Sequence, residues 1–233
     1  MSDISKNTAS VLARVSAAAA AAGRDVSDIT VVAASKMNDA DRVREAFASG
    51  ITVFGENRVQ EMLEKLRLDA YSGAKLHFIG RLQRNKVRQV VGVAELIHSA
   101  DSLPLIAEID RCAVKNELTQ DILIEVNIAG EESKGGFAPG EISSVLEQVS
   151  AFRNIRVRGL MAVPPICSEP EENVPFFEAM TKLFVDNSIK KYDNVSMDFL
   201  SMGMSGDFEA AIACGANMVR IGSAIFGPRN YNI

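Results

Sequence analysis

The sequence predicts an α/β fold: a single closed (β/α)8 barrel of the TIM type with an extra N-terminal helix. Three observations predict it. Eight short β-branched or apolar runs alternate with stretches of helical periodicity, the pattern of a parallel sheet. The length of 233 residues suits one such barrel. No GxGxxG follows the first strand, which weakens the competing open, doubly wound sheet. No Pro/Gly/Ser-rich linker or shift in composition divides the chain, so residues 1–233 read as one domain.

The Ala-rich segment Ser5 to Ala22 is a helix that Gly23 ends. Ile29 to Ala34 is the first strand, a nearly continuous β-branched run of the kind buried on both faces. Asn38 or Asp39 caps the next helix, whose apolar positions Ala40, Val43, Ala46 and Phe47 share one face before Gly50 stops it. Ile51 to Phe54 is the second strand, followed by a helix marked by Val59, Met62, Leu63 and Leu66. Leu76 to Ile79 precedes a helix from about Asn85 to Val91, and Glu95 to His98 precedes one through Ile106 and Ile109. Ile122 to Val126 leads to a helix through Ile142, Val145, Leu146 and Val149, and Val157 to Met161 to a long one from about Asn173 to Lys190. Met197 to Leu200 is followed by a helix from Asp207 to Cys214, and Asn217 to Ile221 by a short helix from Ser223. The longest irregular stretches, Ala129–Gly140 and Val163–Glu172, both follow strands, on the face where barrels carry their sites.

Composition removes several classes of function. With 25 Lys+Arg against 30 Asp+Glu the formal net charge is −5, which argues against binding nucleic acid through bulk charge. Apolar residues are 47%, too many for general disorder. No apolar run reaches the roughly 18 residues that span a bilayer, and Met1-Ser2-Asp3-Ile4 lacks the basic start of a secretory signal. Cys112, Cys167 and Cys214 are odd in number and widely spaced, which fits a reducing, cytoplasmic location. Only His77 and His98 are available as imidazoles, so a His-rich metal centre is not expected.

Strand ends carry the chemistry in a barrel. Lys36 directly follows the first strand; it reads either as a solvated loop lysine or as an amine whose pKa burial lowers, a Schiff-base nucleophile. Phe54-Gly55-Glu56-Asn57 ends the second strand and is compatible with plain turn chemistry. Four of the eight residues from Arg81 to Arg88 are basic, a solvated helix face or an electropositive rim. His77, among apolar neighbours, reads as a hydrogen-bonded core or rim residue. Ser201-Met202-Gly203-Met204-Ser205-Gly206-Asp207 and Arg220-Ile221-Gly222-Ser223 each open a helix after the seventh and eighth strands, where barrels frequently bind phosphate. A ligand with an aldehyde at one end and a phosphate at the other, such as pyridoxal 5′-phosphate (PLP), bridges Lys36 and these turns.

Ser35-Lys36, Phe54-Gly55-Glu56-Asn57, His77-Phe78-Ile79-Gly80 with Leu82-Gln83 and Asn85-Lys86, Arg158-Gly159-Leu160-Met161, Ser201 to Ser205 with Asp207, and Val219-Arg220-Ile221-Gly222 with Ile225-Phe226-Gly227 follow one another along almost the whole chain. In this set the sequence resembles the PLP homeostasis protein family, PLP-binding barrel proteins related to the N-terminal barrel of alanine racemase. The resemblance implies that Lys36 forms a Schiff base with PLP, that Ser201, Gly203, Ser205, Gly222 and Ser223 line the phosphate site, that Arg220 faces the pyridine nitrogen, and that Asn57 lies beside the cofactor. Lys134, in Glu132-Ser133-Lys134-Gly135-Gly136, is then near the mouth. It further implies a monomeric PLP carrier or regulator in the cytoplasm, with PLP-dependent apoenzymes as recipients and neither nucleic acid nor membrane as partner.

An arginine at the ring nitrogen disfavours its protonation, which makes the pyridine a poorer electron sink. In alanine racemase the second acid/base is a tyrosine brought across the dimer by a further domain. The sequence runs to Ile233 just past the last strand, leaving no length for one, and Tyr71, Tyr192 and Tyr231 fall at no predicted strand end. A PLP-dependent amino-acid racemase is therefore the second reading, and a sugar-phosphate barrel enzyme with an aldolase-type Lys36 the third.

Overall fold

A computed structural model describes residues 2–71, 73–131 and 133–228; Met1, Glu132, Tyr231 and Ile233, named above, lie outside the described residues. The apolar runs become β1 (Thr30–Ala34), β2 (Val53–Glu56), β3 (Lys75–Phe78), β4 (Leu96–Ala100), β5 (Gln120–Val126), β6 (Ile155–Ala162), β7 (Val195–Ser201) and β8 (Met218–Ile221). Each pairs in parallel with the next, and β8 returns to β1, so the sheet closes into a barrel. The helices are α1 (Asp3–Ala21), α2 (Ala40–Ala48), α3 (Val59–Arg67), α4 (Leu103–Lys115), α5 (Ile142–Val149), α6 (Val174–Ser188), α7 (Phe208–Ala213) and α8 (Ser223–Phe226). Among the described residues no helix is long and apolar enough to cross a membrane.

α1 is capped by the Ser2 side chain and buries Ile4, Thr8, Val11, Val15 and Ala19, a stripe at three- and four-residue spacing. Together with Arg24, just past its end, it ties the first segment to α7, α8 and the stretch between α7 and β8. Asn7 Nδ2 donates to the Ile225 carbonyl at 3.1 Å, Arg14 pairs with Glu209 at 2.6 Å, and Arg24 Nη1 reaches the Ala216 carbonyl at 2.6 Å.

Inside the barrel Val32, Val53, Leu96, Leu123, Met161 and Met218 form one apolar cluster. Two residues farther along the same pleat stand Ala34, Gly55, His98, Glu125, Val163 and Arg220. The interior therefore turns polar toward the C-terminal ends of the strands.

Two expectations need correction. β2 starts and ends two residues later than Ile51 to Phe54, so Gly55 and Glu56 belong to the strand and not to a turn. A β-carbon on Gly55 would lie 2.8 Å from Ile79 Cδ1 and 2.9 Å from Val32 Cγ1, so those two side chains would have to shift to admit one. The expected helix from Asn85 to Val91 is a 3-10 helix, Arg84–Gln89. It buries Val87, while Val90 and Val91, also β-branched and so poorer helix formers, lie past its end.

The register between β6 and β7 shifts between Val157 and Gly159. Gly159 has φ +140°, and a β-carbon on it would stand 1.9 Å from the Phe199 carbonyl oxygen. Gly159→Ala should therefore destabilise the fold by about 3 kcal/mol or more, combining backbone strain with overpacking. Urea denaturation checks this; a loss below about 1 kcal/mol would show that the strand shift absorbs a side chain.

Candidate functional site

Lys36 lies in the turn that leaves β1 and is half-buried. The residue before it, Ser35, is fully buried. Its N–H donates to the Gly55 carbonyl at 3.0 Å, its hydroxyl to Glu56 Oε1 at 2.6 Å, and its carbonyl accepts from Lys65 Nζ at 2.7 Å. Glu56 points out of the barrel into the layer behind the strand, where the same Oε1 also takes Lys65 Nζ at 2.6 Å and the Tyr71 hydroxyl at 2.8 Å. Burial first, and then the Glu56 carboxylate, push the Tyr71 phenol far up, so it stays a donor.

Arg220 projects into the barrel from β8 and is almost completely buried. Its Nη1 donates to Ser201 Oγ at 2.5 Å and its Nη2 to the Ala162 carbonyl at 2.8 Å. Burial lowers its pKa to about 10, with the carboxylates of Glu125 and Asp207 opposing, so it is charged at neutral pH. Ser201 Oγ lies 3.1 Å from His98 Nδ1, and His98 Nε2 lies 3.0 Å from His77 Nδ1. Burial holds both rings neutral, His77 at about 4 and His98 well below the usual imidazole range. A guanidinium only donates, so the Ser201 hydroxyl accepts from it and gives its own hydrogen to His98 Nδ1; His98 then donates from Nε2 to His77. Glu125, half-buried on β5, is pushed up to about 7 by burial and the Asp101 carboxylate, against Arg220 and Arg81.

The turns after β7 and β8 meet above Arg220. The N–H groups of Gly222 and Ala224 converge on Ser205 Oγ at 3.1 and 3.3 Å. Gly203 has φ +89°, and a β-carbon on it would press to 2.6 Å from Ala211 Cβ. Its carbonyl accepts the Arg220 N–H at 3.0 Å, which ties one turn to the other strand. Asp207 fixes the first turn by taking the Met204 N–H at 2.6 Å and Asn173 Nδ2 at 2.8 Å. A β-carbon on Gly222 would stand 3.4 Å from the Ala34 carbonyl, so this turn abuts the strand end that leads to Lys36.

The site residues expected from sequence thus fall in three places. Lys36 leaves β1; Gly203, Ser205, Gly222 and the exposed Ser223 form the paired turns; Arg220 lies beneath them with Ser201, which is buried at the end of β7 and bonded to Arg220 and His98. Asn57 is held by close packing of its backbone on Gly80, and its buried Oδ1 has no hydrogen-bond partner among the described residues. Lys134 pairs with Glu131 at 2.7 Å and reaches the Pro164 carbonyl at 3.2 Å, bridging the loops after β5 and β6. The basic run borders a cleft of about 860 Å3 shared by Asn57, Arg58, Arg81, Arg84, Lys86 and Asp101. His98, Glu125 and Lys65 were missed. The available signal for Glu125 was a lone carboxylate in Ile122-Leu123-Ile124-Glu125-Val126, on the same phase as Leu123.

The family described as "Alanine racemase, N-terminal domain" matches residues 7–230. The "Pyridoxal phosphate homeostasis protein" of Aquifex aeolicus is 43% identical over 221 residues, 95% of this chain and 96% of that protein. A solved protein from Bifidobacterium adolescentis, described as unknown, is 32% identical with a TM-score of 0.86 over 96% of this chain and 94% of that one. PipY of Synechococcus elongatus PCC7942, solved with PLP bound, is 31% identical with a TM-score of 0.75 over 86% of this chain and 93% of its own.

The buried layer sets opposing pH dependences. His77 titrates at about 4 in the fold against 6.5 in the ordinary state, so its contribution to stability is full above 6.5 and is lost as pH falls toward 4. Glu125 titrates at about 7 against 4.5, so its contribution is full below 4.5 and is lost as pH rises toward 7. Relative to the parent, Glu125→Gln should lose on the order of 2 kcal/mol on going from pH 7 to pH 5, and His77→Gln should gain a similar amount. Urea midpoints at the two pH values check both signs.

Proposed function

We propose, on the premise that this chain belongs to the PLP homeostasis protein family, that it binds PLP at the barrel mouth, holds it as a Schiff base on Lys36, and acts in cytoplasmic PLP homeostasis without efficient turnover. One observation carries the reading: an amine, a charged donor-only guanidinium and a donor-lined turn stand on the adjacent strands β1 and β8.

The residues fit such a group. Two N–H groups already converge on a hydroxyl oxygen between the turns, an arrangement that suits phosphate oxygens. Arg220 spends two of its five donors on Ser201 and Ala162, which leaves N–H capacity for a ring nitrogen that accepts. The unpartnered Asn57 Oδ1 adds an acceptor near the same end of β2. When bound, PLP supplies an electron-withdrawing ring that stabilises negative charge next to an amine, best when its nitrogen is protonated. A charged Arg220 opposes that protonation.

Among the described residues the tyrosines and histidines support the absence of efficient turnover. Tyr71 donates to Glu56 behind the sheet, and Tyr192 bridges Val195 at the opposite, N-terminal end of β7. His77 and His98 are buried, neutral and bonded to each other. A linkage to one lysine is reversible, which suits a monomeric carrier that passes PLP to PLP-dependent apoenzymes.

Borohydride reduction of the PLP-loaded protein followed by peptide mapping should label Lys36; label chiefly on Lys134 or Lys86 would overturn the assignment. α-Proton exchange with alanine or serine in deuterated water should stay far below about 1 per second, and exchange at that rate or faster would favour the racemase reading. Ser205→Asp should abolish PLP binding through repulsion of the phosphate, whereas Ser205→Ala should cost about 0.5–3 kcal/mol. Parental affinity in Ser205→Asp would move the phosphate site elsewhere.

A further inference from the structure

The turn that carries Lys36 is gripped from behind by three side chains that do not belong to the paired turns. Lys65, on α3, is buried together with Glu56 on β2, and its Nζ lies 2.6 Å from Glu56 Oε1, 2.7 Å from the Ser35 carbonyl and 3.9 Å from Glu61 Oε2. Glu61, one helical turn before Lys65, accepts the Met37 N–H at 2.8 Å. Met37 has φ +60°, a left-handed conformation that a non-glycine residue holds only when its surroundings impose it. The backbone is therefore clamped immediately before and immediately after Lys36 by two residues of one helix.

A buried ion pair is a poor device for stability alone. Its desolvation offsets most of the Coulomb attraction, and an apolar pair of the same volume serves as well or better. What an apolar pair cannot do is bond the Ser35 carbonyl and orient a carboxylate toward the Ser35 hydroxyl. We infer that Lys65, held by Glu56 and acting with Glu61, is a positioning residue that fixes the Ser35–Met37 turn and so sets where the Lys36 amine meets an aldehyde. The inference rests on the assignment of Lys36 made above. Lys65 itself stays out of the chemistry, since its ammonium already faces a carbonyl and two carboxylates.

The test uses the full chain and two ligands, PLP and pyridoxine 5′-phosphate, which carries an alcohol in place of the aldehyde. The variants are Lys65→Met and the double variant Glu56→Gln with Lys65→Met, which leaves no unpaired buried charge and answers the question if the single variant fails to fold. A misplacement of about 1 Å in reacting groups costs up to about 100-fold, so the rate of adduct formation at Lys36, followed by absorbance and trapped by borohydride, should fall about tenfold or more. Affinity for pyridoxine 5′-phosphate, measured by calorimetry, should change less than about twofold, because the turns after β7 and β8 are untouched. Parental rates in the double variant would overturn the inference, and so would equal losses for both ligands, which mark a merely structural role. If the parent itself traps no adduct on Lys36, the assignment of that lysine falls, and the inference with it; the parent lane alone separates that outcome from the others.

Discussion

The pairing of β8 with β1 is the constraint on which the site depends. It sets Val32 opposite Arg220 and Ala33 opposite Ile221, and this register lays the turn at Gly222 against the end of β1. The other side of β8 is weakly laddered, with the single registered pair Ser201 and Met218. Side chains reinforce the backbone bonds there, such as Met202 N–H to the Met218 carbonyl at 3.1 Å. Asn217 accepts the Leu200 N–H at 2.7 Å and donates to the Asp198 carbonyl at 2.6 Å, while Arg220 reaches across to Ser201 and Ala162. The guanidinium proposed to face the cofactor ring is thus also a staple of the barrel wall.

A charge in the barrel interior needs partners that do not cancel it. Arg220 is bonded to a hydroxyl and a carbonyl, not directly to a carboxylate. Glu125 is pushed toward its neutral form by the same burial, and the two histidines stay neutral. The interior layer therefore keeps its positive charge on one residue, aimed where the strands end, and the chain His98–His77 disposes of the polar capacity left on Ser201 without adding another charge.

Much of this was legible in the sequence. Eight apolar runs marked the strands, the break from Ala34 to Lys36 marked a strand end bearing an amine, and the Gly/Ser clusters marked turns that open helices. What the sequence did not disclose depends on register and on which face a residue takes. Glu56 sat in a string that reads as a turn, but the strand runs two residues further and sends it into a buried network. Lys65 looks like the solvated face of Val59-Gln60-Glu61-Met62-Leu63-Glu64-Lys65, and only the packing of α3 on β2 buries it. Ser201 stands in a turn-like string yet is the last residue of β7, where its hydroxyl faces inward. Periodicity reports the spacing of apolar residues; it does not report how strands are shifted against each other around a closed sheet.

The seam between the first and last strands also brings together contacts of very different sequence separation. The clamp on the turn at Lys36 is local in sequence, closed by bonds between residues 30 and 24 apart. The contacts of Asn7 with Ile225 and of Arg24 with Ala216 span 218 and 192 residues. A ligand that needs both Lys36 and the paired turns binds only the finished barrel, and each tenfold of free ligand above its dissociation constant adds about 1.4 kcal/mol to the folded state. The resistance of the folded barrel to proteolysis therefore rises with the supply of such a ligand.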